Sequence, residues 1–198
     1  MEILRKEIAH MNNTLIVFYS LFGNTENLAL EIAIQTDGSL RELIPDKDYS
    51  FDYNTACKEV RNQISRGFCP TLKSGNESID DYQTIFIGSP NWFKTLAPPV
   101  LSFLRAHDFT GKTVIPFCTH GGGGFGQIEN DITKECSKSI VLPGIAVNGT
   151  IASEEVAKWL EEIGGAVKGN IVRLAAMVPT HKEAQKVFDW LKESSNLE

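Results

Sequence analysis

Short apolar runs alternate with helical patterns along most of the chain, and this alternation limits the fold more than any other feature of the sequence. Each run is rich in β-branched or aromatic residues and is followed by apolar residues at helical spacing. The predicted strands are residues 14–19, 38–44, 84–88, 113–118 and 139–142. Strict alternation predicts an α/β fold with a doubly wound, five-stranded parallel sheet, because parallel neighbours need a crossover connection.

Parts of the chain depart from this pattern. Residues 67–81 contain Gly, Pro, Ser, Asn and Asp and are predicted to form an irregular connection. Pro116 weakens the fourth predicted strand, since proline cannot donate to a strand ladder. After the last alternating unit, a capping box at Thr180 opens a further helix. We therefore expect a domain at 12–166 and a C-terminal extension at 167–198 that packs on the domain or on a second subunit.

Charge and hydropathy exclude several classes of partner. The chain of 198 residues has a net charge of -6 and a pI near 5.3, so neither nucleic acid nor a membrane is expected as a partner. Its longest apolar run is far shorter than the ~20 residues of a membrane span. The N-terminus lacks the apolar region of a secretory signal. We expect a cytoplasmic protein, and its oligomeric state stays open.

The cysteines form no C-x-x-C pair, which argues against a zinc site or a dithiol redox motif. We expect free thiols that pack in the core: Cys57, Cys69, Cys118 and Cys136.

The first candidate site is the loop between the first strand and its helix, which contains Ser20, Leu21, Phe22, Gly23, Asn24 and Thr25. A helix N-terminus offers unpaired N–H groups and a positive dipole end, which together bind phosphate. Ser20 and Thr25 add hydroxyl donors, and Gly23 allows close backbone approach. No lysine lies in the loop, so it is not the P-loop of nucleoside triphosphatases. An ordinary strand–helix turn with Thr25 as the N-cap explains the loop equally well.

The second candidate site is the loop after the third predicted strand, residues 89–95, which contains Ser89, Pro90, Asn91, Trp92 and Phe93. Two adjacent aromatic residues in a polar loop are unusual. A planar ligand can stack on one of them while Asn91 bonds its edge. The alternative is one aromatic side chain in the core and one on the surface.

The third candidate site is a glycine-rich loop, residues 119–126, that suits close main-chain approach to a flat ligand. Gly121, Gly123 and Gly126 match the G-x-G-x-x-G pattern. That dinucleotide-binding fingerprint belongs at the first βα turn, with an acidic residue after the next strand. Here it follows the fourth predicted strand, so we do not favour a dinucleotide. His120 lacks the partners of a metal site, and a local hydrogen-bonding role is expected.

Together, the three loops make residues 14–163 resemble a flavodoxin, particularly the short flavodoxin-like proteins of bacteria. The matching segments are residues 16–25, 81–92 and 111–122, and the resemblance spans about three quarters of the chain. It implies the strand order 2-1-3-4-5 and an FMN site at the carboxyl ends of the strands.

The resemblance also implies roles for single residues. Ser20 and Thr25 donate hydroxyls to the FMN phosphate, and Trp92 stacks on the isoalloxazine ring. Ser89 and Asn91 line the ring edge, the Thr119–Gly122 backbone bonds its pyrimidine side, and Phe125 covers its other face. Phe22 stands where the family usually has threonine, which removes one hydroxyl donor. The implied cofactor-binding residues are Ser20, Leu21, Phe22, Gly23, Asn24, Thr25, Ser89, Pro90, Asn91, Trp92, Phe93, Thr119, His120, Gly121, Gly122 and Phe125.

These implications leave three hypotheses for function. The first is an FMN-binding electron carrier that docks basic redox partner proteins through its acidic surface. The second is an NAD(P)H-dependent FMN oxidoreductase that reduces quinones or similar acceptors. The third is a binding module without flavin, which only Phe22 suggests.

Overall fold

Strands and helices alternate through the part of the chain that the computed structural model describes, residues 13–149 and 152–164. The strands are β1 (Thr14–Phe18), β2 (Ser39–Glu42), β3 (Ile44–Pro45), β4 (Leu72–Ser74), β5 (Thr84–Pro90), β6 (Thr113–His120), β7 (Ile140–Val141) and β8 (Ile145–Asn148). The helices are α1 (Asn24–Thr36), α2 (Tyr53–Ser65), α3 (Pro98–Ala106), α4 (Ile128–Glu135) and α5 (residues 153–164).

The main sheet is parallel and has the order β2-β1-β5-β6-β7, with β8 also paired to β6. The predicted α/β class and the order 2-1-3-4-5 are confirmed, because β5 and β6 are the third and fourth predicted strands. β1, β5 and β6 are buried along nearly their whole length. Their continuous apolar runs follow from this, since both faces of the sheet are covered.

Side chains alternate between the two faces of the sheet, which explains the helices on both sides. Leu15 and Val17 belong to one core cluster with residues of α3 and α4. Ile16 and Phe18, which alternate with them along β1, are also buried. Their core lies on the opposite face, where Leu28, Ala29 and Ile32 make the buried side of α1.

Two predicted strand boundaries were wrong. The second predicted strand, residues 38–44, is only β2, and its end turns away as the separate strand β3. β3 pairs antiparallel with β4 in a small second sheet. The connection at 67–81, predicted to be irregular, therefore contains a strand.

The fifth predicted strand, residues 139–142, is divided. β7 pairs with the start of β6 and β8 pairs with its end, and residues 142–144 interrupt the two. The interruption lies opposite Ile115 and Pro116, as the flanking pairs Val114↔Val141 and Phe117↔Ile145 show. Pro116 has no N–H to donate, so the neighbouring strand breaks beside it.

The chain divides into two compact units, residues 1–156 and 157–198. Within the second unit the structure describes residues 157–164, which form the last part of α5. The predicted extension at 167–198 and its capping box lie outside the described residues, and the predicted domain boundary stays a prediction.

A glycine and a phenylalanine fit together at the centre of the sheet. Gly88 on β5 stands opposite Phe117 on β6. A Cβ atom added at Gly88 would lie 2.2 Å from the ring of Phe117. Phe117 is fully buried, so its ring has little room to move away.

Replacing Gly88 is therefore expected to destabilise the fold. We predict that Gly88→Ala lowers the free energy of unfolding by about 1–3 kcal/mol, because the added methyl overpacks a closed core. The matched control is Gly121→Ala, whose Cβ would meet open space and whose effect should stay within about 0.5 kcal/mol. Urea unfolding of both variants measures the difference. Equal midpoints for the two variants would contradict this account of the packing.

Candidate functional site

The three loops named from the sequence meet at the carboxyl ends of β1, β5 and β6. Thr25 of the first loop and Thr119 of the third share a hydrogen bond of 2.8 Å between their hydroxyl oxygens. The amide of Asn91 in the second loop donates to the carbonyl of Thr119 at 2.8 Å. Sheet topology therefore assembles one site from segments about 100 residues apart along the chain.

The first loop leaves the N-terminus of α1 open. Gly23 is the N-cap in the left-handed conformation, with φ of 83°, and no side chain caps the helix. The hypothesis that Thr25 is the N-cap was therefore wrong. The first N–H groups of α1 have no acceptor within the helix. Ser20 and Leu21 are half-buried beside them, whereas Phe22 and Asn24 are exposed.

Thr25 and Thr119 form a buried hydroxyl pair under this opening. Both side chains are buried, and their mutual hydrogen bond uses one of the two hydroxyl hydrogens. The second hydrogen is available for an acceptor. A ligand oxygen at the start of α1 would provide one, so this donor set suits an anion held without a cationic side chain.

The second loop makes a strained turn. Trp92 and Thr95 exchange backbone hydrogen bonds of 3.2 and 3.1 Å across Phe93 and Lys94. Those two residues have φ of 54° and 69°, a left-handed conformation that costs about 1–2 kcal/mol for each non-glycine residue. The turn persists because two hydrogen bonds hold it: the amide of Gln127 donates to the carbonyl of Lys94 at 2.6 Å, and the amide of Lys94 donates to Oδ1 of Asn91 at 2.9 Å.

Trp92 belongs to an aromatic trio with Tyr19 and Tyr49. The ring of Trp92 meets the two tyrosine rings edge-on at centroid distances of 5.4 and 5.1 Å. Burial is the main cause that raises the pKa of both tyrosine hydroxyls, which are therefore neutral. These contacts fix the plane of the half-buried indole.

Acidic residues surround the trio. Asp48, Glu42 and Glu59 each contribute to raising the pKa of Tyr19, after burial and the neighbouring Tyr49. The pKa of Glu42 is itself raised, by burial and then by the charge of Glu26. Carboxylates thus flank the tyrosine side of the site, whereas Arg61 lies on its Phe93 side.

A small cleft of about 190 Å³ separates the first loop, the start of α2 and the second loop. It is lined by Leu21, Phe22, Tyr53, Ala56, Cys57, Val60, Asn91, Trp92 and Phe93. Phe22, Tyr53 and Phe93 are exposed at its rim, and Arg61 lies over the Phe93 ring at 4.6 Å. The walls are mostly aromatic and aliphatic, which suits an apolar ring.

In the third loop, the main chain at the glycines is not covered by side chains. A Cβ atom added at Gly121 or Gly122 would meet nothing within 4 Å, and Gly122 has φ of 106°. The amide of Gly122 donates to Nδ1 of His120 at 2.9 Å, which leaves Nε2 as the protonated nitrogen of the neutral ring. His120 therefore has the local hydrogen-bonding role that was expected.

Some predicted site residues are engaged inside the protein. Ser89 is fully buried, and its hydroxyl accepts from the amide of Ala97 and lies 2.9 Å from the carbonyl of Pro90. It supports the second loop from below. Phe125 packs on the core, with its ring close to Gly144. Whether either residue contacts a flavin stays a prediction.

Sequence reasoning missed several residues that shape the site. Tyr19 ends the first predicted strand, and its position directly before the first loop could have indicated that it borders the site. Tyr49 follows β3 in a stretch with no pattern, and only the tertiary fold brings it to Trp92. Lys94 lies within the second loop but has no role that its side chain could reveal, because it contributes through its backbone conformation and its carbonyl.

The described residues contain no group of three or more His, Cys, Asp or Glu side chains that could hold a metal. In the same residues, no helix has both the length and the hydropathy needed to cross a bilayer.

Comparison with known proteins places the chain among flavoproteins. A family model described as Flavodoxin matches residues 13–163. A flavoprotein structure from Bacteroides uniformis is 29% identical with a TM-score of 0.69, and the match covers 76% of this chain and 98% of that chain. One from Bacteroides eggerthii is 25% identical, also with a TM-score of 0.69, over 76% and 97%. No curated protein matches the chain.

A third similar structure carries a ligand. It is a flavoprotein from Lactobacillus acidophilus in complex with FMN, 25% identical with a TM-score of 0.60, over 74% of this chain and 97% of that chain.

The thiols differ in their surroundings, which gives a test of the site's packing. Cys118 is buried under the third loop, and its Sγ donates to the carbonyl of Gly124 at 3.7 Å. Burial raises the pKa of Cys118 to about 12, and that of Cys136 likewise to about 12. Both therefore stay neutral thiols at pH 8, whereas Cys57 and Cys69 are half-buried.

We predict that iodoacetamide at pH 8 modifies Cys57 and Cys69 in the folded protein and leaves Cys118 and Cys136 unmodified, because the thiolate is the reactive form. Peptide mass mapping measures the sites. In urea all four should react, which serves as the control. Modification of native Cys118 as fast as Cys69 would mean that the third loop is not closed over it.

Proposed function

Because the chain belongs to the flavodoxin family, we propose that it binds FMN and acts as an electron carrier. The observation that carries the proposal is the open N-terminus of α1 above the buried hydroxyl pair of Thr25 and Thr119. It offers phosphate donors at the edge of the sheet where Trp92 and the glycine-rich loop offer surfaces for a planar ring. The FMN complex of the similar Lactobacillus acidophilus flavoprotein supports the same cofactor.

The phosphate would be held by neutral groups. The first amides of α1, the free hydroxyl hydrogen of the Thr25–Thr119 pair and the half-buried Ser20 are the donors. No Lys or Arg lies within residues 20–25. Hydrogen bonds to a charged acceptor contribute about 1.5–3 kcal/mol each, so several of them can hold a phosphate without an ion pair.

The flavin ring would stack on Trp92, whose indole the two tyrosines hold in place. Gly121 and Gly122 would let the main chain approach the ring, since no side chain intervenes. The residues present therefore fit both the phosphate and the ring of FMN.

Bound FMN supplies the reversible uptake of electrons, and the chain sets its electrostatic surroundings. Glu42 and Asp48 raise the pKa of Tyr19, which contacts Trp92, whereas Glu59 forms an ion pair with Lys47. The charge of Glu42 and Asp48 disfavours additional negative charge at the site. This supports a reduction potential below that of free FMN, which potentiometric titration measures.

Exposed acidic residues near the site support basic redox proteins as partners. Glu26, Glu42, Asp46 and Asp48 are exposed around the first loop and after β2. Electrostatic attraction would orient a basic partner toward this edge of the sheet. Its association should weaken as salt increases, and an association rate independent of salt would contradict this docking mode.

An NAD(P)H-dependent FMN oxidoreductase is the second candidate, and the aromatic cleft favours it. Phe22, Tyr53 and Phe93 at the rim leave room for a small apolar acceptor such as a quinone beside Trp92. Steady turnover of NAD(P)H with a quinone by the FMN-loaded protein would favour this function. The carrier function predicts no such turnover.

The primary test is retention of FMN. Purified protein mixed with FMN and passed through a desalting column should elute with the visible absorption bands of flavin. Trp92→Leu should raise the dissociation constant about tenfold, because the stacking surface is lost. Phe68→Leu, at an exposed aromatic residue outside the cleft, is the matched control. Elution of the wild-type protein without flavin would refute FMN binding.

Replacing Phe22 by threonine is expected to tighten FMN binding. The side chain is 54% exposed, so Phe22→Thr should cost little stability. The new hydroxyl sits in the first loop and adds one donor to a charged acceptor, so the dissociation constant for FMN should fall about tenfold or more. Fluorescence titration of FMN measures it. An unchanged constant would show that the side chain at this position does not reach the phosphate.

A further inference from the structure

The side chain of Asn91 joins two of the loops. Its Oδ1 accepts from the amide of Lys94 at 2.9 Å, and its Nδ2 donates to the carbonyl of Gly124 at 2.6 Å. The first bond lies inside the second loop, whereas the second bond crosses to the third. Together with the main-chain bond from Asn91 to Thr119, this one residue fastens the third loop at two points.

Each loop needs such support. The second loop holds Phe93 and Lys94 in the left-handed conformation, which the bond from Lys94 to Oδ1 of Asn91 stabilises. The third loop contains four consecutive glycines, residues 121–124. A polyglycine segment loses more backbone freedom on ordering than any other sequence, so an anchor at Gly124 from outside the loop reduces that loss.

The backbones of the two loops are also in direct contact. A Cβ atom added at Gly126 would lie 2.6 Å from the carbonyl oxygen of Lys94, and that oxygen accepts from the amide of Gln127 at 2.6 Å. A displacement of the turn at Lys94 must therefore shift the backbone of residues 126–127 or break the hydrogen bond between Gln127 and Lys94. Asn91 controls that turn through Oδ1.

We propose that Asn91 is a positioning residue that couples the second and third loops, so that both take up the ring-binding conformation as one unit. The sequence-based expectation was that Asn91 bonds the edge of a planar ligand. In the structure its side-chain oxygen and its side-chain nitrogen each bond the protein, and whether the second hydrogen of Nδ2 also bonds a ligand stays a prediction. The FMN part of this inference rests on the proposed function, whereas the coupling of the loops does not.

Amide hydrogen exchange of the protein without flavin tests the coupling directly. Asn91→Ala should accelerate exchange at Lys94, which loses its acceptor, and also at Gln127, by about tenfold or more. Gln127 is the decisive amide, because its own acceptor on Lys94 is untouched by the substitution. Asn62→Ala, the same change at an exposed position on α2, is the matched control and should leave both amides unchanged.

A second variant separates the two bonds. Asn91→Asp keeps an acceptor for the amide of Lys94 and removes the donor to Gly124. It should preserve protection at Lys94 while weakening FMN binding at least as much as Asn91→Ala does, by about tenfold or more, because a carboxylate oxygen then faces the carbonyl oxygen of Gly124. FMN affinity that is unchanged in Asn91→Asp would show that the bond to Gly124 does not position the third loop, and would overturn the proposal.

Two further results would also overturn it. One is acceleration at Lys94 without acceleration at Gln127, which would reduce Asn91 to a local support of its own turn. The other is faster exchange throughout β5 and β6, which would mean that Asn91 acts on global stability. If the wild-type protein does not bind FMN at all, the proposed function fails, but the exchange experiment still decides whether the loops are coupled.

Discussion

The parallel pairing of β5 with β6 is the interaction on which the rest of the structure depends. It runs in unbroken register from Thr84↔Thr113 to Pro90↔Thr119, longer than any other pairing in the described sheet. Because both strands end at the same level, the residues that follow them emerge side by side. The hydrogen bond from the amide of Asn91 to the carbonyl of Thr119 continues this ladder by one step into the loops.

The second and third loops of the site are both conformationally unfavourable by themselves, and the contacts between them offset that free-energy cost. The third loop has very little side-chain volume and gives the main chain access to a flat ligand, but it has no intrinsic preference for one shape. The second loop has bulky residues in a conformation that they disfavour. Each is held by the other, and by Asn91 between them, so neither loop would keep its shape alone. Rigid strands beneath the loops make this mutual support possible.

The fold, and the meeting of the three loops at one edge of the sheet, could be predicted from the sequence because both depend on local patterns. Continuous apolar strands, helical spacing between them and three distinctive loops are all visible without tertiary information. The separate strand β3 and its pairing with β4 were missed, because short edge segments carry no clear periodicity. The break in the fifth strand was also missed, although Pro116 had already marked that part of the sheet as irregular.

The roles of single residues do not follow from the sequence alone, for a physical reason. Ser89 and Asn91 have side chains that can bond a ligand or the protein, and only the packed structure shows that the protein engages them. Tyr49 reaches Trp92 from a stretch without pattern. Composition and spacing reveal which groups are available for hydrogen bonding, whereas the folded chain decides which of them are already used.

The packing of Gly88 against Phe117 has a consequence for how sequences of this kind can diverge. The two residues occupy one shared volume at the centre of the sheet, so neither position is free to change by itself. A larger residue in place of the glycine becomes acceptable only when the aromatic ring opposite is exchanged for a smaller side chain. The two positions should therefore drift as a pair among related proteins, with their summed volume conserved while the individual residues are not.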